Sequence, residues 1–211
     1  MVRVKVCGVT KLDDAKLVAE LGAHAIGLNF YPESPRCLTP AAAAELIRRF
    51  PPFVTPVGVF VNWTEEPVLA LSRAVGLCAA QLHGDEPPQV VERLACHLPV
   101  IKALRIGQGG PAPEFSRFRG ASAFLLDSAV SGHYGGTGVT GNWHAARAVA
   151  QTQRIILAGG LTPENVGEAI RIVRPYAVDV TSGVEARPGK KDPGKLRTFF
   201  EEVARASHEV S

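Results

Sequence analysis

The chain has 211 residues, 46% of them hydrophobic and 20% charged, with a net charge of +3. That length suits one domain with a full core, and a charge so small and evenly spread argues against a nucleic-acid binder, although it suits an anionic small molecule. Cys7, Cys37, Cys78 and Cys96 form no CxxC, which fits reduced thiols in a cytoplasm rather than a disulfide framework or a zinc site, and no signal peptide or membrane-length apolar run is expected.

The first strand is read over Val2–Cys7. Its parity sends Val2, Val4 and Val6 toward surrounding helices, and Arg3, Lys5 and Cys7 toward an axis with Cys7 at the rim. An amphipathic helix over Leu12–Leu21 and a strand over Ala25–Phe30 follow. After the loop Pro32-Glu33-Ser34-Pro35-Arg36, Thr39-Pro40 opens a helix over Pro40–Phe50. Further strands are read at Pro56–Val61, Cys78–His83, Val100–Leu104, Ala123–Asp127, Arg154–Ala158 and Ala177–Thr181. The helices between and after them are Glu65–Val75, Pro87–His97, Asn142–Gln151, Pro163–Val173 and Pro193–Arg205. The connection Ile106–Arg119, rich in Gly and Pro, predicts a short or irregular helix, and the tail Ser207–Ser211 is expected to fray.

Strict β/α alternation with one unit per roughly 20 to 30 residues predicts an α/β chain, a compact (β/α)8 TIM barrel filling residues 1–211 as a single domain. A doubly wound open sheet is the alternative. Its dinucleotide-binding form wants GxGxxG after the first strand, where this chain has Cys7-Gly8-Val9-Thr10. Barrel closure makes the eighth strand the neighbour of the first, so Lys5 is expected to meet the inward Asp179, since an unpartnered buried lysine is very costly.

The strand ends suggest chemistry. Leu157-Ala158-Gly159-Gly160 and Asp179-Val180-Thr181-Ser182-Gly183-Val184-Glu185 bring glycine-bearing loops and a short extra helix to the rim, the phosphate cradle expected after strands 7 and 8. The expected partner is a small phosphorylated molecule, with neither nucleic acid nor membrane. Cys7 is either a buried structural thiol or a reactive thiolate. Asp127, directly after Ala123-Phe124-Leu125-Leu126, is either a loop cap or an acid. The two together supply an acid and a base of different intrinsic pKa, as a proton-shuttling isomerase needs. Gly135-Gly136-Thr137-Gly138 is a flexible connector or a loop that closes over substrate. Arg36 is a solvated surface charge or a carboxylate clamp. His83 is an acid or base, or equally a residue that positions substrate or satisfies a core hydrogen bond. His24, His97, His133, His144 and His208 do not cluster with carboxylates, so no metal is expected.

Val4-Lys5-Val6-Cys7-Gly8-Val9-Thr10, Ser34-Pro35-Arg36, Gln81-Leu82-His83-Gly84, Leu125-Leu126-Asp127-Ser128, Gly135-Gly136-Thr137-Gly138, Leu157-Ala158-Gly159-Gly160-Leu161, Asn165-Val166, Asp179–Glu185 and Gly189-Lys190-Lys191-Asp192 occur in this order. Over essentially the whole chain they resemble the phosphoribosylanthranilate isomerases of tryptophan biosynthesis. The resemblance implies an Amadori rearrangement with Asp127 as general acid at the ribose ring oxygen and Cys7 as general base at ribose C2. It implies Arg36 on the anthranilate carboxylate, and Gly159, Gly160, Ser182 and Gly183 on the phosphate. His83 and Gly136 are taken as substrate-binding, no cofactor is required, and a homodimer is kept open. The run Val139-Thr140-Gly141-Asn142-Trp143 departs from the family, which often has lysine and then Phe-Asp before the tryptophan; Asn142 can still cap the helix. Thr181 stands where serine is common. Among other phosphosugar barrels, a ribulose-phosphate epimerase would want metal-binding His and Asp. An indole-glycerol-phosphate synthase would want catalytic lysines and an N-terminal extension; Lys5 and Lys102 are read with inward parity, but no extension is read. A non-catalytic phosphometabolite sensor would have lost the acid–base pair.

Overall fold

Eight short runs of aliphatic residues, too apolar to face water on either side, form parallel strands under a coat of helices. The computed structural model describes residues 1–106, 114–128 and 143–210. The strands are β1 (Arg3–Cys7), β2 (Ala25–Asn29), β3 (Thr55–Phe60), β4 (Ala79–Leu82), β5 (Val100–Ile106), β6 (Ala123–Ser128), β7 (Ile155–Leu157) and β8 (Ala177–Val180). They close in sequence order, with β8 paired back on β1. This is the expected (β/α)8 barrel, with strand ends shifted by one or two residues.

The helices are α1 (Leu12–Glu20), α2 (Pro40–Ile47), α3 (Glu65–Val75), α4 (Pro88–Ala95), α5 (Trp143–Ala150), α6 (Val166–Val173) and α7 (Pro193–Val210). Thr39 caps α2 as its sequence suggests, its Oγ1 accepting from Ala42 N at 3.3 Å with proline at the first position. Between β5 and β6 the described helical structure is a single 3-10 turn, Phe115–Arg117, the short element expected of that Gly- and Pro-rich connection. Two expectations fail locally. The helix expected from Pro163 starts at Val166, because Asn165 folds back: its Oδ1 accepts from Thr162 N and its Nδ2 donates to Gly160 O, both at 2.8 Å. The tail does not fray through Ser207, since α7 runs to Val210 and the buried Ser207 accepts from Val2 N at 3.1 Å. Among the described residues no helix is long and apolar enough to cross a membrane.

Strand parity sorts the core into two layers. Ala103, Ala123, Leu125, Ile156, Ala158 and Ala177 pack inside the barrel. Val4, Val6, Leu82, Phe124 and their neighbours pack outward under helix residues such as Leu94, Ile170 and Phe199. Each large aliphatic or aromatic side chain buried in this way contributes about 1.5–3 kcal/mol. Lys5 stands opposite Asp179 in register, and its ammonium donates to both carboxylate oxygens at 2.9 Å, as expected. Lys102 does not point inward. It pairs in register with Leu82 and Phe124, both in the outer layer, and its ammonium donates to Leu82 O (3.3 Å), Gly84 O (2.7 Å) and Glu86 Oε2 (2.7 Å). The inward residues of β5 are its neighbours Ile101 and Ala103.

After β8 comes a second 3-10 turn, Ser182–Val184, and then an antiparallel ribbon of β9 (Glu185–Arg187) and β10 (Lys190–Lys191). The ribbon was not anticipated. Its tip is tied to the loop after β1, where Thr10 Oγ1 donates to Gly189 O at 2.6 Å.

Candidate active site

The C-terminal strand ends surround a cavity of about 290 Å³. Cys7 enters from β1 and Asp127 from β6, and both line it with His83, Arg36, Gly159 and Gly160. The thiol and the carboxyl expected to share one pocket therefore do so.

Cys7 is 7% exposed and has a buried cation beside it. A β-carbon on Gly27 would stand 2.7 Å from Cys7 Sγ and 3.1 Å from Lys5 Nζ, so glycine at this position leaves room for the two groups to converge. Burial disfavours the Lys5 charge, but Asp179 and the Cys7 sulfur outweigh it and hold the ammonium above the ordinary lysine value. Burial and Asp127 push Asp179 toward protonation while Lys5 opposes them. Two oxygens equidistant from one ammonium are the geometry of an ion pair, and the pair is read as charged.

Asp127 is held from β4. His83 Nε2 lies 3.2 Å from Asp127 Oδ2, and His83 Nδ1 lies 2.8 Å from Gln81 Nε2. The Gln81–His83–Asp127 chain fixes the imidazole against the carboxyl, and the ring tautomer sets which nitrogen donates. His83 thus touches Asp127 directly as well as the cavity.

The opposite wall is backbone. Gly159 and Gly160 take φ of 83° and 67°, which a side chain would resist, and their N–H groups donate to no described residue. Asn165 fixes this loop through Gly160 O. Ser182 lines the cavity but Gly183 does not. A β-carbon on Gly183 would lie 1.9 Å from Leu161 O, so glycine here lets the loops after β7 and β8 pack closely. Gly136, with the rest of Gly135–Gly138 and Asn142, lies outside the described residues.

Arg36 is not a free surface charge. Its Nε and Nη2 donate to Glu185 Oε1 and Oε2 at 2.9 and 2.6 Å, and this hydrogen-bonded pairing raises its pKa. A two-pronged clamp on substrate through that edge is already filled; Nη1 and the second Nη2 proton lie outside the pair. Burial alone would raise the Glu185 pKa, but Arg36 and Lys191 outweigh it and hold the carboxyl below its usual range.

A family model for N-(5'-phosphoribosyl)anthranilate (PRA) isomerase matches residues 4–202. A protein of Pelobacter propionicus carrying the name N-(5'-phosphoribosyl)anthranilate isomerase is 48% identical over 95% of this chain and 94% of its own. The chain belongs to the phosphoribosylanthranilate isomerase family. A phosphoribosylanthranilate isomerase in complex with reduced 1-(o-carboxyphenylamino)-1-deoxyribulose 5-phosphate superposes with a TM-score of 0.83 at 41% identity, covering 97% of this chain and 100% of the other. Monomers generated from a dimeric phosphoribosylanthranilate isomerase of Thermotoga maritima superpose at 0.85 and 38% identity, again covering 97% and 100%.

Within this phosphoribosylanthranilate isomerase scaffold, Glu185, Lys191, Gln81 and Asn165 lie in the sequence motifs, but the sequence alone assigns them no role. The run Arg187-Pro188-Gly189-Lys190 carries the Pro-Gly turn signal of a hairpin, which would have exposed the ribbon. The ribbon brings Lys191 beneath the site. This lysine is 1% exposed, and its ammonium donates to Cys7 O (2.7 Å), Thr181 O (3.0 Å) and Glu185 Oε1 (3.1 Å). Burial lowers its pKa, with Glu185 opposing.

Proposed function

We propose that this barrel mouth isomerises N-(5'-phosphoribosyl)anthranilate to 1-(2-carboxyphenylamino)-1-deoxyribulose 5-phosphate by general acid–base catalysis, with Asp127 the acid and Cys7 the base. The isomerisation, and its place in tryptophan biosynthesis, follow from family membership. The assignment of roles rests on one observation: a thiol from β1 and a carboxyl from β6 line one cavity whose far wall offers unpaired backbone N–H groups.

The chemistry uses these groups in order. Gly159 and Gly160, with Ser182, hold the phosphate through backbone donors. Arg36 meets the anthranilate carboxylate through the guanidinium edge that Glu185 leaves open. Asp127 protonates the ribose ring oxygen, and the C1–O bond breaks as the lone pair of the aryl nitrogen forms a protonated imine with C1. Cys7, with the Lys5 ammonium beside it, takes the proton from C2, and the imine accepts the electron pair as an enolamine. Two protons are then misplaced, one on Cys7 and one on the C2 hydroxyl. Delivering the first to C1 and losing the second to Asp127 gives the ketone and restores both residues. The substrate's own nitrogen is the electron sink, so the proposal calls for no cofactor.

Residues 1–211 act as one domain in this reading, in the cytoplasm, where the free thiol of Cys7 stays reduced. A homodimer is proposed from the dimeric Thermotoga maritima relative. The direct test generates phosphoribosylanthranilate in situ and follows its anthranilate fluorescence. Decay on adding this protein is expected, and unchanged emission would remove the activity.

A further inference from the structure

Arg36 raises a question of charge. The reading above has it bind a carboxylate, yet its guanidinium already holds one, from Glu185. An arginine–glutamate pair is neutral overall, and a neutral pair attracts a second anion only weakly. The third member of the cluster changes this. Lys191 Nζ donates at 3.1 Å to the same Glu185 Oε1 that accepts from Arg36 Nε at 2.9 Å. Two cations share one anion, so the trio by itself keeps one positive charge, with Cys7 facing both cations from the reacting side of the cavity. Lys191 itself cannot reach a ligand. It is 1% exposed, and its other two hydrogen bonds go to the carbonyls of Cys7 and Thr181, which seat it beneath the cavity between β1 and β8. The excess charge is therefore expressed through Arg36, the member that lines the cavity.

We propose that Lys191 is a positioning residue for recognition of the substrate's carboxylate: it takes up the charge of Glu185 from behind and leaves Arg36 able to bind a second carboxylate in front. Glu185 is then the hinge of a relay, orienting Arg36 with one side of its carboxylate while sharing an oxygen with the buried lysine. This inference rests on the reading that Arg36 meets the anthranilate carboxylate, and the test separates the two.

Two ligands are compared by their dissociation constants: reduced 1-(o-carboxyphenylamino)-1-deoxyribulose 5-phosphate, which has the aryl carboxylate, and 1-deoxyribulose 5-phosphate, which lacks it. Lys191→Met is expected to weaken the first about 10-fold and the second less than about 3-fold. Equal losses for both ligands, or no loss for either, overturn the proposal. The substitution leaves two carbonyls unpaired, so binding is measured well below the variant's Tm. Should that variant fail to fold, Glu185→Gln decides. Glutamine still accepts from Arg36 Nε, but it removes the anion and leaves both cations, so the carboxylate ligand should bind as tightly or more tightly. A 10-fold loss there would mean that the cluster acts by packing rather than by charge. Arg36→Met distinguishes the two readings. If it leaves the carboxylate ligand bound as before, the placement of Arg36 falls and this proposal with it. If it weakens that ligand while Lys191→Met does not, only the proposal for Lys191 falls.

Discussion

Among the buried lysine–carboxylate pairs, the two whose lysines stand on barrel strands face opposite ways. In the β1/β8 half, Lys5 and Asp179 meet inside the barrel beside Cys7. In the β4/β5 half, Lys102 points outward and spends its three donors on Leu82 O, Gly84 O and Glu86. Glu86 in turn accepts from Asn62 N at 2.9 Å and Gly84 N at 3.0 Å. The residue types and the depth of burial are alike. What separates them is strand parity, one residue's shift in phase, which turns one charge toward Cys7 and the other toward a loop. A buried ion pair is weak evidence of function until its face is known.

This comparison is most sharply broken at the reacting groups of the inner half. Asp127→Asn and Cys7→Ser should each lower kcat at least ~100-fold, the scale of lost acid or base catalysis, with little change in KM. Steady-state turnover near wild type in either variant would remove that residue from the mechanism. The two lysines come next. Lys5→Met removes the cation beside the Cys7 sulfur and should cost about 10-fold or more in kcat/KM. Lys102→Met strands the buried Glu86 and should cost ~3–5 kcal/mol of stability, yet leave kcat per folded molecule within about 3-fold. Paired melting and rate measurements check both, and a catalytic defect at Lys102 matching that at Lys5 would erase the distinction.

Arg36→Ala should act mainly on KM, raising it about 10-fold as a charge-assisted contact is lost; an unchanged KM would place the carboxylate elsewhere. The smallest effect concerns acid. Glu185 has a folded-state pKa held below its ordinary range by Arg36 and Lys191, against burial. A depressed carboxyl contributes stability that is fully present above the unfolded-state value and lost as pH falls through the folded one. The Tm difference between wild type and Glu185→Gln should therefore stay flat from pH 8 to about 5 and shrink below the ordinary glutamate value of about 4.3. A difference that changed across neutral pH would contradict this cause.

Much of the fold was legible because period and parity are local. Alternation along β1 placed Lys5 inward, and closure of eight units placed Asp179 beside it. The same reasoning failed at Lys102, because β5 is buried on both faces and its apolar run shows no alternation to count from. Cys7 and Asp127 could be read as strand-end residues, since a thiol or carboxyl closing an apolar run stands out. The partners that set their surroundings could not. Arg36 reaches Glu185 across 149 positions, and Lys191 reaches Cys7 O across 184. Contacts at such separations are fixed by how loops dock at the rim, and no local pattern encodes them. Gly183 shows a related limit: the sequence marks a place for glycine, but only the carbonyl of Leu161 shows that a side chain there has no room.

The central claim is that Cys7 breaks the bond to hydrogen at ribose C2 in a cavity where Asp127 opens the ring. Substrate deuterated at C2, followed through a single turnover, tests it most directly. The account predicts a primary isotope effect on the wild-type chemical step, and a label retained at C2 on the wild-type timescale when Cys7→Ala protein binds the same substrate. Release of deuterium by Cys7→Ala at the wild-type rate would contradict it.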